Sequence, residues 1–496
     1  MIHRSNRMAT EFFHRCSQII FFVLGSSVAA HPLSIQGVNT SQYEIGKQSI
    51  GREKEHREIL ENRLDVNILH SDFHSIMRFE VLQPSAYSYI FDEGLKKWSM
   101  GFEAENIAVT VGDFQSIFGR GLILNLVEFP DLQLQNTLEG LKLGLSANRG
   151  SISLISGRDT RSKERPSVDF IRGVWGTTYP SQWVTVGGGY IRAENAKREF
   201  QLYGMQIDLT YRFLELGMDI GRKSVRDKIE KKGWAGYLFG SFLHGKWSVQ
   251  AEYKNYKFPD DEFSSYYQPP SVLAESNIQL VAREETLLNP GDDVGANLVL
   301  RYSPSLDSFF ALGADLSSSH GDKFWWPHYR DNDLSFFYRS NYSVNAYYRF
   351  KGDFSFNGSF SILREKLEFG SPVNLWACAI IPSYRIDSIQ SVEFRGEVKA
   401  ISFGNNSNYD WLTSLTYNST LPNVSANFSI EKSRYVVHEK AEIKVAGELR
   451  WGLGSFHDFT IGYGSFGGGR RCALGTCRLS PPFRGFKGQL TSRFGG

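Results

Sequence analysis

Two-residue alternation of apolar and polar side chains, held over runs longer than soluble sheets use, constrains this chain most. Val392 to Ala400 alternates without a fault, as does Ala441 to Trp451. A strand tilted across a bilayer needs about 9 to 11 residues with one face for lipid and the other for a lumen. Strands of soluble proteins usually run about 5 to 6. The same period returns in Trp98 to Glu105, Trp247 to Lys254 and Tyr338 to Phe350, where Tyr342, Val344, Ala346 and Tyr348 share a face opposite Arg339, Asn341, Ser343 and Arg349. Near the start, Leu64 to Ile68 alternates, and His70-Ser71-Asp72 makes a turn before Phe73. The pattern predicts an all-β transmembrane antiparallel barrel of roughly 16 to 22 strands, centred on about 18, since bacterial barrels use even numbers. A soluble β-sandwich or solenoid would show the same alternation in shorter strands, so strand length decides.

Composition agrees. The 496 residues are 41% hydrophobic and 14% aromatic, and 55 Lys and Arg oppose 53 Asp and Glu for a net charge of +2. That balance excludes a disordered chain and gives no basic excess for nucleic acid. No stretch after the first 30 residues reaches the roughly 20 apolar positions of a membrane helix. Trp98, Trp183, Trp234, Trp247, Trp376, Trp411 and Trp451 fall near the ends or along one face of predicted strands, where rings sit at a membrane boundary.

Residues 1–30 read as a secretory signal peptide: His3, Arg4, Arg7 and Arg15 precede Ile19 to Leu24, and Val28-Ala29-Ala30 offers a cleavage site. Residues 31–60, with the charged run Gly51 to Glu61, read as a linker, and 61–496 as one barrel domain. After export, Cys472 and Cys477 bracket four residues and are expected to pair as a disulfide in an oxidising compartment, with two free thiols in a turn as the alternative. Without further ligands nearby they make a weak zinc site, so no metal is expected.

Two stretches resemble a family. Gly112-Asp113-Phe114, Phe118-Gly119-Arg120-Gly121-Leu122 and the later Leu138-Glu139-Gly140 resemble the GDFxxxFGxGL signature of an exported, uncharacterised domain-of-unknown-function family of Bacteroidetes-type bacteria. The run Gly467 to Arg478, with Cys472 and Cys477, and Pro481-Pro482-Phe483-Arg484-Gly485 are similar to its closing motif. The resemblance implies an outer-membrane β protein with no established reaction. Gly112, Gly119 and Gly121 mark backbone that turns or passes close to other backbone. A kinked barrel corner is the plainer reading, and a shaped loop near the lumen the functional one.

No nucleophile elbow, HExxH or phosphate loop occurs, so no catalytic residue and no cofactor is expected. His320-Gly321-Asp322 and His438-Glu439 read as turn or strand-end residues, and Gly187-Gly188-Gly189 as a strand break or loop. What remains is the lumen. Its candidates are Glu252 and Lys254, Arg339 and Arg349, Glu393, Arg395, Glu397 and Lys399, then Glu442, Lys444, Glu448 and Arg450. Their signs alternate, so neighbours would largely neutralise one another, whereas a selective pore concentrates one sign. The long interruption from Phe258 to Asp293 is a candidate extracellular loop or inward-folded constriction. The expected function is porin-like passage of small polar solutes across a bacterial outer membrane, with weak charge selectivity. The alternative is a non-conducting barrel that anchors a periplasmic or surface protein. Either would contact outer-membrane lipid and the barrel-insertion machinery.

Overall fold

The computed structural model describes residues 32–495, apart from segments 51–52, 84–91, 130–133, 136, 160–169, 195–197, 227–229, 260–277, 283–291, 321–324, 330–336, 351, 367–371, 404–405, 434–440, 467–468, 474–475 and 481–482. The signal-peptide expectation at residues 1–30 lies outside the described residues. Twenty-four antiparallel strands form one sheet in chain order, and the last, Phe483–Phe494, pairs with the first, Ser34–Ile50. Closure leaves no free edge, the condition for a sheet to sit in lipid.

The count of about 18 is therefore corrected to 24, and the linker 31–60 is corrected as well. Ser34–Ile50 is a wall strand, and Glu53–His70 is its hairpin partner, with Ile50 opposite Glu53. These arms are rich in Gln, Asn, Ser and Glu. Beyond the bilayer a strand needs no apolar face, so hydropathy loses them. Gly187-Gly188-Gly189 is also corrected: it lies inside the strand Val184–Glu194. A Cβ on Gly187 would stand 2.9 Å from the Trp175 ring, and one on Gly189 2.8 Å from it. The glycines make room for an indole lying on the inner wall.

Apolar residues on alternate positions face outward and are exposed, among them Ile152, Leu238, Leu298, Phe360, Ile380, Leu415 and Ile443. Trp183, Trp234, Trp247, Trp376 and Trp451 share that outer face. The first described strand begins, and the last one ends, at the same end of the barrel as the turns of a few residues, such as those at 71–72, 212–213 and 245–246. Gly245, at φ +58°, serves one of them. The strands joined by the longer connections meet them at the other end.

Candidate functional site

Neighbouring strands stand about 4.8 Å apart, so 24 of them tilted by about 40° would enclose a circle about 48 Å wide. Side chains alone cannot fill that width; chain folded into it does part of the work. The strand Ile107–Phe114 bends at Gly112, where φ is +99°, and the following residues leave the wall for the lumen. There Ser116–Phe118 pairs with Leu124–Leu126 around a 3-10 turn at Gly119–Gly121, and Arg120 at its centre takes φ 42°. The GDFxxxFGxGL residues are thus an in-folded wedge rather than a barrel corner.

Phe118, Leu122, Ile123, Leu124 and Leu126 are all buried, against an inner wall supplied by Ile155, Ile171, Trp175, Ile191, Phe200 and Leu202. Phe118 stacks on Trp175 at 5.7 Å between centroids. Phe114 belongs to the same core, and the buried Asp113 side chain accepts a hydrogen bond from the backbone N–H of Trp98 at 2.9 Å. Along this sector both faces of the strands are apolar, one for lipid and one for the wedge.

Polar contacts hold the wedge at two points. Arg120 reaches Asp208 at 2.7 Å and Asp219 at 3.9 Å, and its guanidinium lies 5.5 Å from the Phe239 ring centre. Asp219 is 1% exposed, and among the described residues neither of its oxygens accepts a hydrogen bond. Further along, Glu128 binds Arg78 and, at 2.5 Å, Lys97 of the adjoining wall strands. Burial opposes its charge, yet bonds from Lys97 and Arg78 outweigh that and hold the Glu128 carboxyl below the usual carboxylate range.

A second element enters another sector. The short helix Gln279–Ala282, inside the long Phe258 to Asp293 connection, packs Leu280 and Val281 on Leu363, Leu375, Ala377 and Leu412. Glu397 accepts the backbone N–H groups of Gln279 and Leu280 at 3.1 and 3.0 Å, and Lys399 donates to the Leu280 carbonyl at 3.3 Å. The hairpin of Gly469–Ala473 and Thr476–Ser480 runs beside this helix. Cys472 and Cys477 are direct register partners in it, but their side chains lie outside the described residues.

The strands turn the twelve lumen candidates to the inner face, in three different settings. Lys254, Arg339, Glu397, Lys399 and Lys444 are buried, which corrects their reading as the lining of a watery path. Glu252, Glu393, Arg395, Glu448 and Arg450 are half-buried, and Glu442 is exposed at the long-loop end. Arg349, at the opposite end, is 35% exposed and 3.7 Å from Asp307. Pairing runs mostly between strands rather than along them. Lys399 meets Asp410 at 3.3 Å, Lys444 meets Glu431 at 3.7 Å, Arg339 meets Glu365 at 3.7 Å, and Lys254 binds Asp293. Lys487 reaches Glu448 two strands away by crossing Gly462, whose absent Cβ would lie 2.6 Å from the Lys487 chain. Arg395 to Glu397, at 2.9 Å, is the same-strand pair of the expected ladder. Asn297, Asp315, Asn341 and Ser361 hydrogen-bond in sequence across four strands. Arg120, Asp208, Asp219 and Glu128 were missed; the sign available was the unalternating Leu122-Ile123-Leu124 run between glycine and wall. His320 sits at the long-loop end, 2.5 Å from Asp292 and 2.8 Å from Asn255, while His438 lies outside the described residues.

A closed antiparallel wall, apolar outside and polar within, defines an outer-membrane-type β-barrel. The PapC-PapD-PapK-PapG pilus tip assembly intermediate of E. coli is similar, with TM-score 0.53 and 11% identity over 94% of this chain and 61% of that one. The siderophore receptor PirA of Pseudomonas aeruginosa gives 0.48 at 8% over 93% and 80%, and OprD of the same species 0.40 at 10% over 71% and 92%. At such identities the likeness is one of fold alone, and the first match carries it. No curated protein matches the chain. A family model matches residues 13–269, just over half of the sequence, and the chain belongs to that family, described as Family of unknown function (DUF6029).

Proposed function

We propose that this protein is a constricted diffusion barrel of a bacterial outer membrane, passing small polar solutes with weak charge selectivity. The observation that carries the reading is the half-exposed state of charged side chains on the inner face. Lys487 is 24% exposed and Arg450 37%, and both stand on the inner wall of a closed barrel. Such exposure supports water inside. The wedge and the helix narrow the lumen from two sectors, so solute size is limited by packed chain rather than by the width of the barrel. Pairing of Arg395, Lys487 and Arg450 with carboxylates leaves little field of one sign along the path. Lipid and the insertion machinery are its expected contacts, and no cofactor or catalytic group enters the account.

A specific observation favours the second reading, a filled barrel anchoring a periplasmic or surface protein: much of the inner wall is buried under folded chain. Liposome swelling separates the two. Refolded protein in liposomes should admit a neutral disaccharide, and an anionic and a cationic solute of equal size at similar rates. Liposomes that carry folded barrel yet stay closed to all three would overturn passage in favour of the anchor.

A further inference from the structure

We infer that the outer wall between strands Val184–Glu194 and Trp247–Lys257 carries a binding site for a lipid with a phosphate-bearing headgroup, held by Arg222 and Lys257 on either side of Trp234. The inference rests on the membrane reading above. Direct register partners run sideways along this wall as Tyr190, Tyr203, Arg222, Trp234 and Lys257. All five belong to the lipid-facing set, because the alternate positions Lys223, Ala235 and Tyr256 are buried inside. One step toward the long loops, Arg172, Arg192 and Lys232 stand in the next row. The cations therefore sit at the membrane boundary, on the side of the long connections.

Local carboxylates engage the second row more closely than the first. Arg192 is taken by Glu194 at 2.9 Å and Glu199 at 3.0 Å, and Lys232 by Glu230 at 3.2 Å. Asp292, the register partner of Lys257, engages His320 at 2.5 Å. Among the described residues neither Arg222 nor Lys257 makes an ion pair within 4 Å, although the charge of Lys257 acts on Asp292 beside it. They are two strands apart, about 10 Å between backbones, a span that two long side chains close over one phosphate. Arginine and lysine at this height meet headgroup oxygens directly.

Below the cations the same face is apolar beneath Arg222 and Trp234, while beneath Lys257 it carries the buried Asn255, bonded to Tyr253 and His320. Gly236 follows Trp234 on the outward side, and a Cβ there would touch only the Trp234 ring, at 3.8 Å. The notch is bordered by Ile220 and Asn255 on the neighbouring strands, with Leu238 and its partner Tyr253 in the next outward row. Trp325, 67% exposed, lies 5.4 Å from Trp234, Trp326 stacks over Tyr253, and the Tyr253 hydroxyl donates to the Trp325 carbonyl at 2.5 Å. Three indoles around a glycine notch, with Arg222 and Lys257 above, match an acyl chain beneath a phosphate.

The test is native mass spectrometry of the full, refolded barrel in neutral detergent with a synthetic bis-phosphorylated glucosamine lipid and its dephosphorylated counterpart. The unmodified protein should keep about one phosphorylated lipid per barrel and lose the dephosphorylated one. R222Q/K257Q should weaken retention at least tenfold, and K432Q, an exposed outward lysine on a distant strand, should not. Equal retention of both lipids by the unmodified protein would overturn the site whether or not the double variant folds, as would full retention by the double variant. Insertion into neutral phosphatidylcholine vesicles, read in parallel, separates the two claims. A barrel that inserts but ignores phosphate defeats the site alone; one that does not insert defeats the membrane reading and the site with it.

Discussion

Replacing Phe118 with alanine should release the wedge from the lumen while leaving the wall closed. Five buried apolar side chains in the wedge contribute at most about 10 kcal/mol at about 2 kcal/mol each. Ordering the nine residues from Phe118 to Leu126 costs about 10 kcal/mol at a little over 1 kcal/mol each. The two nearly offset, so docking depends on a small surplus from polar contacts such as Arg120 with Asp208. Phe118 is 1% exposed, stacked on Trp175, and sits where a Cβ on Gly173 would meet its ring at 3.2 Å. Its loss costs about 4 kcal/mol, roughly a thousandfold in the ratio of docked to undocked wedge. Limited trypsin digestion reads this at the bond after Arg120, which the docked wedge protects. Folded F118A should be cut there and should conduct more than the unmodified barrel. A folded F118A barrel that resists trypsin at Arg120 with unchanged conductance would refute the packing argument.

Other perturbations follow from the same contacts. Arg120→Ala strands Asp219 in a buried setting at a cost of about 3 kcal/mol, so amide exchange across residues 118–126 should quicken about a hundredfold, and adding Asp219→Asn should restore much of the protection; no restoration would remove Asp219 from the latch. The lowered pKa of Glu128 means its stabilisation is complete above the unfolded value of about 4.3 and is lost as pH falls through the lower folded value. Channel noise should therefore rise as pH drops from 6 to 3, and Glu128→Gln should be equally noisy at both; a quiet E128Q channel at pH 6 would contradict the anchoring role. Glu397→Ala deprives two helix N–H groups of a charged acceptor at about 1.5–3 kcal/mol each. Exchange at residues 279–282 should accelerate at least tenfold, with the wedge unaffected.

The fold class was legible because lipid on one face and water on the other impose a period of two over long strands, as in Val392 to Ala400. Strand number was less legible. Ser34–Ile50 projects polar residues on both faces, and Val184–Glu194 hides glycines that accommodate Trp175. The lumen was the hardest part. Its wall strands lose polarity on the inner face where the wedge covers them, as Phe200 and Leu202 alternate with Tyr203 and Met205. Glu397 and Lys399 alternate like any lumen ladder, and nothing local shows that they hold a helix more than a hundred residues earlier in the chain. Asp410 and Glu431 were chosen by register, which depends on turns rather than on the residues themselves.

The central claim is a water-filled, narrowed lumen with balanced charge, and single-channel recording of the refolded protein in planar bilayers under a potassium chloride gradient tests it most directly. Heat-modifiable gel mobility verifies folding of the same sample. The account predicts discrete, reproducible steps with a reversal potential close to zero. A folded barrel that stays silent, or one whose reversal potential lies near the equilibrium potential of a single ion, would contradict it.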